Sequence, residues 1–431
     1  MNPGRQSRFY LVGLVRAAQR LGLHVVPLEL APIWEHVNKA SQKIDATLEV
    51  GRQLRGLVAR ERITHVLGYG SNGAELGQVF GHGVEPLFAS LGLTHLMLWT
   101  DHPNWFLDGQ SMRPEMARLL ANPRHVHFVK SEIAAAECCA MLGWPRVHGL
   151  AMAEDYELLT PAAEVSPTHD VVAIIGAAWK PAAAAMKFID ADDPDPAEID
   201  AGCAERATVA LRTALDAQQC PDAERDGVMA WAGRVMEAKQ SRPLDAVWRI
   251  TREEGMQAPA WLTQDARRWY AVGAAIRMQG DWRRNFWLAW LARRRTLLLC
   301  GCDARMLTPD QPEFARGWVA YDQQAKVYGL GRCVINTNAA HDEEGCTHKP
   351  FQIAASGSAC VHHATRGLED LFASPNEVLT FTRGPELLEA VGAACLRRGD
   401  MAWAMRERAM RDHTWDKRLA RMLALSSHAP A

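Results

Sequence analysis

Apolar and polar positions along the chain alternate between two periods. A spacing of three and four over residues 11–21, closed by Gly22, predicts a helix. Short apolar runs predict strands at 24–30, 64–67, 93–99, 125–130, 170–175, 296–301, 318–321, 334–338, 359–362 and 378–381. Helical spacing returns over 46–60, 385–398 and 401–425. Strands alternating with helices predict mainly parallel sheets covered on both faces, with binding residues just beyond the carboxyl ends of the strands.

A Pro- and Glu-containing passage at 159–167 interrupts this rhythm and reads as a linker. It gives a first Rossmann-like domain over 1–165 and a second over 166–400, with a Trp- and Arg-rich helical insertion at 182–295. The stretch 282–295, WRRNFWLAWLARRR, has the composition of a membrane-surface helix, but it runs directly into the apolar strand TLLLCG and is expected to pack on the sheet.

Bulk numbers narrow the class only a little. The chain has 431 residues, 48% hydrophobic and 23% charged, with a net charge of −2. That balance fits a globular protein and gives no basic excess for nucleic acid. No apolar run approaches the roughly 20 residues of a membrane span, and no leader is evident in the polar start, so a cytoplasmic protein is expected. Ten scattered cysteines, including Cys138-Cys139 and Cys300-x-Cys302, lack the spacing of a zinc site and read as reduced thiols.

Chemistry-bearing residues fall after predicted strands. Gly68-Tyr-Gly70-Ser71-Asn72-Gly73 spells a dinucleotide fingerprint, but it is not on the first strand of its domain and lacks an acid at the expected distance. A turn, or a cleft-facing loop using Gly70, Ser71 and Asn72, fits as well. Asp101 and His102 end a strand before Pro103 and are placed to remove a proton, with His82 behind them; Trp105 offers a flat face for stacking. Gly176-Ala177-Ala178 and Lys180 follow the first strand of the second domain. His341-Asp-Glu343-Glu344 could pass for a metal cluster, but adjacent acids in such a loop are expected to be solvated. Finally, 345–372 reads GCTHKPFQIAASGSACVHHATRGLEDLF: Lys349 enters a small-residue helix whose amino end, with free N–H groups, would attract phosphate.

That last segment resembles the donor-site signature of GT-B glycosyltransferases, in particular the group related to the spore protein CgeB. His413-Thr414-Trp415-Asp416-Lys417-Arg418 is similar to the tail of that group, and Trp99-Thr100-Asp101-His102-Pro103 to its N-domain motif. The resemblance implies an α/β fold of two Rossmann-like domains facing across a cleft, with 401–431 crossing back to the N-domain. It implies transfer of a sugar from a nucleotide-diphosphate sugar, UDP-linked by expectation, to a hydroxyl of a glycan, protein or small molecule, without a metal or other cofactor. Lys349 would neutralise the diphosphate. Gly176, Ala177, Lys180, Thr347, Gln352, Gly367 and Glu369 would line the donor site. Gln352 stands where the group has an acid for the ribose hydroxyls. An epimerase or hydrolase of the same fold, or a non-catalytic sugar-nucleotide binder, are the alternatives.

Overall fold

The computed structural model describes residues 5–74, 77–80, 83–103, 114–161, 165–176, 182–301, 307, 315–338 and 343–427. Contacts divide the chain into two units, one of residues 14–150 with 416–431 and one of 1–13 with 151–415. Among the described residues no helix is long and apolar enough to cross a membrane.

The N-terminal unit is built on strands β1 (His65–Tyr69), β4 (Thr94–Leu98), β5 (His125–Val129) and β6 (Val147–Gly149), all parallel, in the order β1-β4-β5-β6. An antiparallel hairpin, β2 (Gly77–Phe80) with β3 (Gly83–Pro86), lies between β1 and β4 in the chain. Helices Leu30–Lys39 and Lys43–Glu61 bury Val37, Ala46, Val50 and Leu54 with Leu87, Phe88 and Leu93. The tail residues cluster here too: Arg20 forks onto Asp416 at 2.7 Å through two nitrogens, and Arg146 donates to the Ser426 carbonyl at 2.6 Å.

The C-terminal unit carries a parallel sheet of β7 (His169–Ile175), β8 (Leu297–Gly301), β9 (Ala315–Arg316), β10 (Gly331–Asn336), β11 (Cys360–His363) and β12 (Leu379–Phe381). Its order is β12-β11-β10-β7-β8-β9. The chain therefore builds outward from β7 through β8 to β9, then returns to β7's other side with β10. The order reverses between β7 and β10, and ligands of open parallel sheets bind outside the carboxyl ends at such a point. Beyond β7 and β8 the backbones nearly touch. Gly301 has φ +136°, and a Cβ there would stand 2.0 Å from the Ile175 carbonyl, so only glycine fits.

Between β7 and β8 run Pro196–Ala217, Asp222–Ser241, Val247–Glu253, Ala260–Thr263 and the 27-residue helix Ala266–Ala292. The last of these buries Trp282, Trp287 and Trp290, so the Trp- and Arg-rich stretch is interior. Trp290 Nε1 donates to the Ala191 carbonyl at 2.9 Å, and Arg206 lies over the Trp282 ring at 4.5 Å.

Three local expectations are corrected. Residues 24–29 are irregular and lead into a helix at Leu30, because Pro27 cannot donate to a ladder. Residues 318–320 are likewise not a strand; Trp318 is exposed and a 3₁₀ turn begins at Tyr321. The single helix expected over 401–425 is two, Arg398–Asp412 and Trp415–Ser426, interrupted at His413.

The N-terminal sheet holds an unusual core. His95, His125 and His127 are all fully buried, with His95 directly beside His125 in register and their rings edge to face at 5.2 Å. His127 stacks on Trp144 at 3.8 Å and accepts from Trp99 Nε1 at 3.2 Å. Burial pushes His125 down to about 4 and His127 to about 3, and holds His95 well below the usual 6.5. These rings are neutral when folded and take up protons only when unfolded. Their contribution is complete above about pH 6.5 and is lost as pH falls toward 4 and 3. Unfolding followed against pH is expected to show the N-terminal unit losing stability across that window, with His125→Phe flattening the acid limb; a flat wild-type profile would contradict the assignment.

Candidate functional site

The carboxyl end of β10 continues into the segment that carries Lys349. Asn336 donates to Thr347 Oγ1 at 3.4 Å and bonds His362 Nε2 at 2.7 Å. Asn338 donates to the Glu343 and Gly345 carbonyls at 3.2 and 2.8 Å. The loop after β10 is thus held by amides at the strand end. Gly367 closes against it: its N–H reaches the Glu344 carbonyl at 3.0 Å, where an added Cβ would come within 2.3 Å of that oxygen.

Lys349 opens the helix Lys349–Ala355. Its side chain is half-buried, and Nζ reaches Gln324 Oε1 at 3.5 Å. Among the described residues it forms no ion pair with a carboxylate. Burial drives its ammonium down to about 8, partly offset by the charge of Glu154. The helix end contributes less than the sequence implied. Its seven residues begin with a Lys349 N–H already directed to Thr347 Oγ1 at 3.3 Å and a Pro350 that has no N–H. The local positive charge therefore belongs to the amine rather than to unpaired backbone donors.

Gln352, one turn on, is 1% exposed, and among the described residues neither its Oε1 nor its Nε2 has a hydrogen-bond partner. Gln324 is buried beside Lys349, its Nε2 also without a partner among the described residues. Such amides are expensive to leave unsatisfied, on the order of 1–3 kcal/mol each. Thr347 is buried as well, and Glu369 lies exposed on the short helix Arg366–Glu369, whose start is capped by Thr365.

Glu154 was not singled out in the sequence, where it falls just before the linker. It is 2% exposed, accepts from Tyr321 Oη and the Asp155 N–H, and stands 3.0 Å from His348 Nε2. His348 in turn meets the Trp415 ring edge to face at 6.1 Å. The tail motif is structural here. The His413 ring lies against Phe351 and Phe372 and its Nε2 reaches the Leu371 carbonyl at 2.9 Å. It braces the far side of the Lys349 helix.

Glu343 and Glu344 are not solvated, as their loop composition suggested, but 7% and 4% exposed. Glu343 bonds Lys239 at 2.8 Å and Arg277 at 3.0 Å, and Glu344 bonds Arg249 at 2.6 Å. The two carboxylates also accept the N–H groups of Val247 and Ala246, at the start of the helix Val247–Glu253. The inserted helices are thereby tied to the loop that precedes Lys349. Among the described residues no group of three or more His, Cys, Asp or Glu is placed to hold a metal ion.

Gly176 ends β7, exposed, and a Cβ there would meet nothing within 4 Å. In the N-terminal unit Gly70 turns the chain after β1 at φ +55°, with Ser71 half-buried and Asn72 exposed. No helix opens directly after this glycine turn; the hairpin starting at Gly77 comes first, so the dinucleotide fingerprint lacks the helix it needs. Asp101 follows β4 with its side chain 40% exposed, 3.9 Å from Lys130 Nζ. His102 is 3.4 Å from the buried Glu137 carboxylate. The structure thus gathers Thr347, Lys349, Gln352 and Gly367 beside one strand end, and Gly70, Ser71, Asn72, Asp101 and His102 on loops after β1 and β4. His82, Trp105, Ala177 and Lys180 lie outside the described residues.

Residues 283–424 match the family described as glycosyl transferase-like. No curated protein sequence matches the chain. Similar solved structures include a sucrose-phosphate synthase from Thermosynechococcus elongatus, at 11% identity and TM-score 0.46 over 97% of this chain and 92% of that one. Anabaena HepE in complex with UDP is 10% identical with TM-score 0.41, over 88% of this chain and 82% of that one. A glycosyltransferase from Rickettsia africae is 8% identical with TM-score 0.39, over 96% and 86%. The family match covers about a third of the chain, within which lie Lys349, Gln352 and the His413 segment.

The buried ion cluster yields a stability test. Lys239→Ala leaves Glu343 with one cation fewer in a dry site and is expected to cost about 3–5 kcal/mol in denaturant unfolding. A loss within 0.5 kcal/mol, roughly the size of a neutral surface change, would show that the cluster holds nothing in place.

Proposed function

We propose that the chain moves a glycosyl group from a nucleotide-diphosphate sugar, a UDP-sugar in the first instance, to an acceptor hydroxyl. One observation carries the reading: a half-buried ammonium with no carboxylate ion pair among the described residues, Lys349, stands beyond β10 at the reversal of strand order. A cation kept partly dry and poorly neutralised is matched by a diphosphate. Negative charge grows on that diphosphate as the glycosidic bond breaks, so a fixed positive charge favours the transition state over the bound donor.

The other residues take roles around it. The chain at Gly176 leaves β7 open to close approach by phosphate oxygens. The Gln352 amide offers both a donor and an acceptor to ribose hydroxyls, which would satisfy atoms now without partners. Thr347, Gly367 and Glu369 border the same loop, with Glu369 free to meet sugar hydroxyls. In the N-terminal unit, Asp101 is the proposed base for the acceptor, being more exposed than His102. Gly70, Ser71 and Asn72 supply a polar turn for acceptor binding. Charge neutralisation falls to Lys349, and no metal ion is assigned a part.

Calorimetric titration with UDP and UDP-glucose, followed by transfer of labelled sugar, tests the reading. Lys349→Ala is expected to weaken UDP about 10- to 100-fold, the worth of a hydrogen bond to a charged group, with an unchanged circular dichroism spectrum. Wild-type affinity for UDP is expected to fall by up to about tenfold per pH unit above pH 8, whereas Lys349→Arg stays flat there. Affinity independent of both substitution and pH would remove Lys349 from the site. Asp101→Asn is expected to slow transfer by about 10²–10⁴ with UDP binding intact; unchanged transfer would exclude Asp101 as the base.

A further inference from the structure

We propose that Cys333 and Cys395 are a redox pair, a half-exposed attacking thiol and a buried resolving thiol that close into a reversible disulfide on meeting a low-molecular-weight disulfide. The two come from different elements. Cys333 is the third residue of β10, and Cys395 lies in the last turn of the helix Gly384–Leu396 packed on that strand. Their sulfurs are 4.0 Å apart, and both are directed at the Asp170 carbonyl, at 3.6 and 3.7 Å. A disulfide bond is about 2.05 Å long, so the two sulfurs must close by about 2 Å.

The surroundings divide the labour. Cys395 is half-buried, and its hydrogen bond with Cys333 brings its thiol down to about 7, against burial and with help from Arg332 and Arg295; Asp170 opposes them. Cys333 is buried, and its thiol is held well above the ordinary range by Cys395 and by burial. Attack therefore starts at Cys395. Other buried thiols are inert by comparison: burial pushes Cys203 up to about 12 and Cys300 to about 11.

The chemistry balances with a disulfide such as oxidised glutathione as the oxidant. The Cys395 thiolate attacks one sulfur of that disulfide, forming a mixed disulfide and releasing one glutathione thiolate. Cys333 then loses its proton to solvent and attacks the Cys395 sulfur, expelling the second glutathione. Two protein thiols are oxidised and one small disulfide is reduced to two thiols. The product would tie the helix Gly384–Leu396 to β10.

The test treats the full chain with oxidised glutathione, alkylates the remaining thiols and maps the peptides by mass spectrometry. A Cys333–Cys395 cross-linked peptide, reversed by dithiothreitol and absent from Cys395→Ser, is the expected result. In Cys333→Ser the resolving step is gone, so a glutathione adduct should persist on Cys395. A stable glutathione adduct on Cys395 in the wild type would overturn the proposal. So would two free thiols at 333 and 395 while the exposed Cys139 reacts. Neither outcome depends on sugar transfer.

Discussion

An ammonium held partly out of water, with no carboxylate paired to it among the described residues, is the constraint around which the C-terminal unit is arranged. Left to itself such a group prefers to lose its proton, and Lys349 has moved in that direction. Three features hold it where it stands. Amides at the end of β10 fix the loop before it, Glu343 and Glu344 anchor that loop to the inserted helices, and His413 with the two phenylalanines backs its helix. A binding site of the kind proposed, with an unmet charge at a strand end, would be prepared for an anion before the anion arrives.

The frame explains why this strand end and not another. β8 is buried along its length, and at its carboxyl end Gly301 lies directly against Ile175 of β7. On the other side of β7, the return of the chain to β10 opens the sheet order. The small-residue helix and the Gly367 turn then allow backbone to approach backbone, which is what residues such as Ala354, Ala355 and Gly357 achieve in the sequence.

Much of this frame is legible in the residues, and the failures have physical causes. Fully buried strands such as Leu297–Gly301 and His125–Val129 show as unbroken apolar or aromatic runs with glycine or polar ends. The run at 24–30 looked similar, yet a single proline removes the donor a strand needs there. The helix over 401–425 breaks because the His413 ring and carbonyl are engaged by Leu371 and Tyr156, partners far away in sequence. Distance also hid the site's electrostatics. Glu343 and Glu344 read as solvated loop acids because Lys239, Arg249 and Arg277 are 66 to 104 positions away. Glu154 carried no local motif at all, although it is the carboxylate whose charge reaches Lys349. Lys349 itself was visible from its motif, whereas the satisfied Lys349 N–H and the consequence of Pro350 needed coordinates.

The direct test is a measurement of the Lys349 ammonium itself by NMR in lysine-labelled protein, titrated with and without UDP. The account predicts a free-protein pKa near 8, displaced from the ordinary 10.5, that rises when UDP is bound and supplies the missing negative charge. A value at the ordinary 10.5 that UDP leaves unmoved would contradict it.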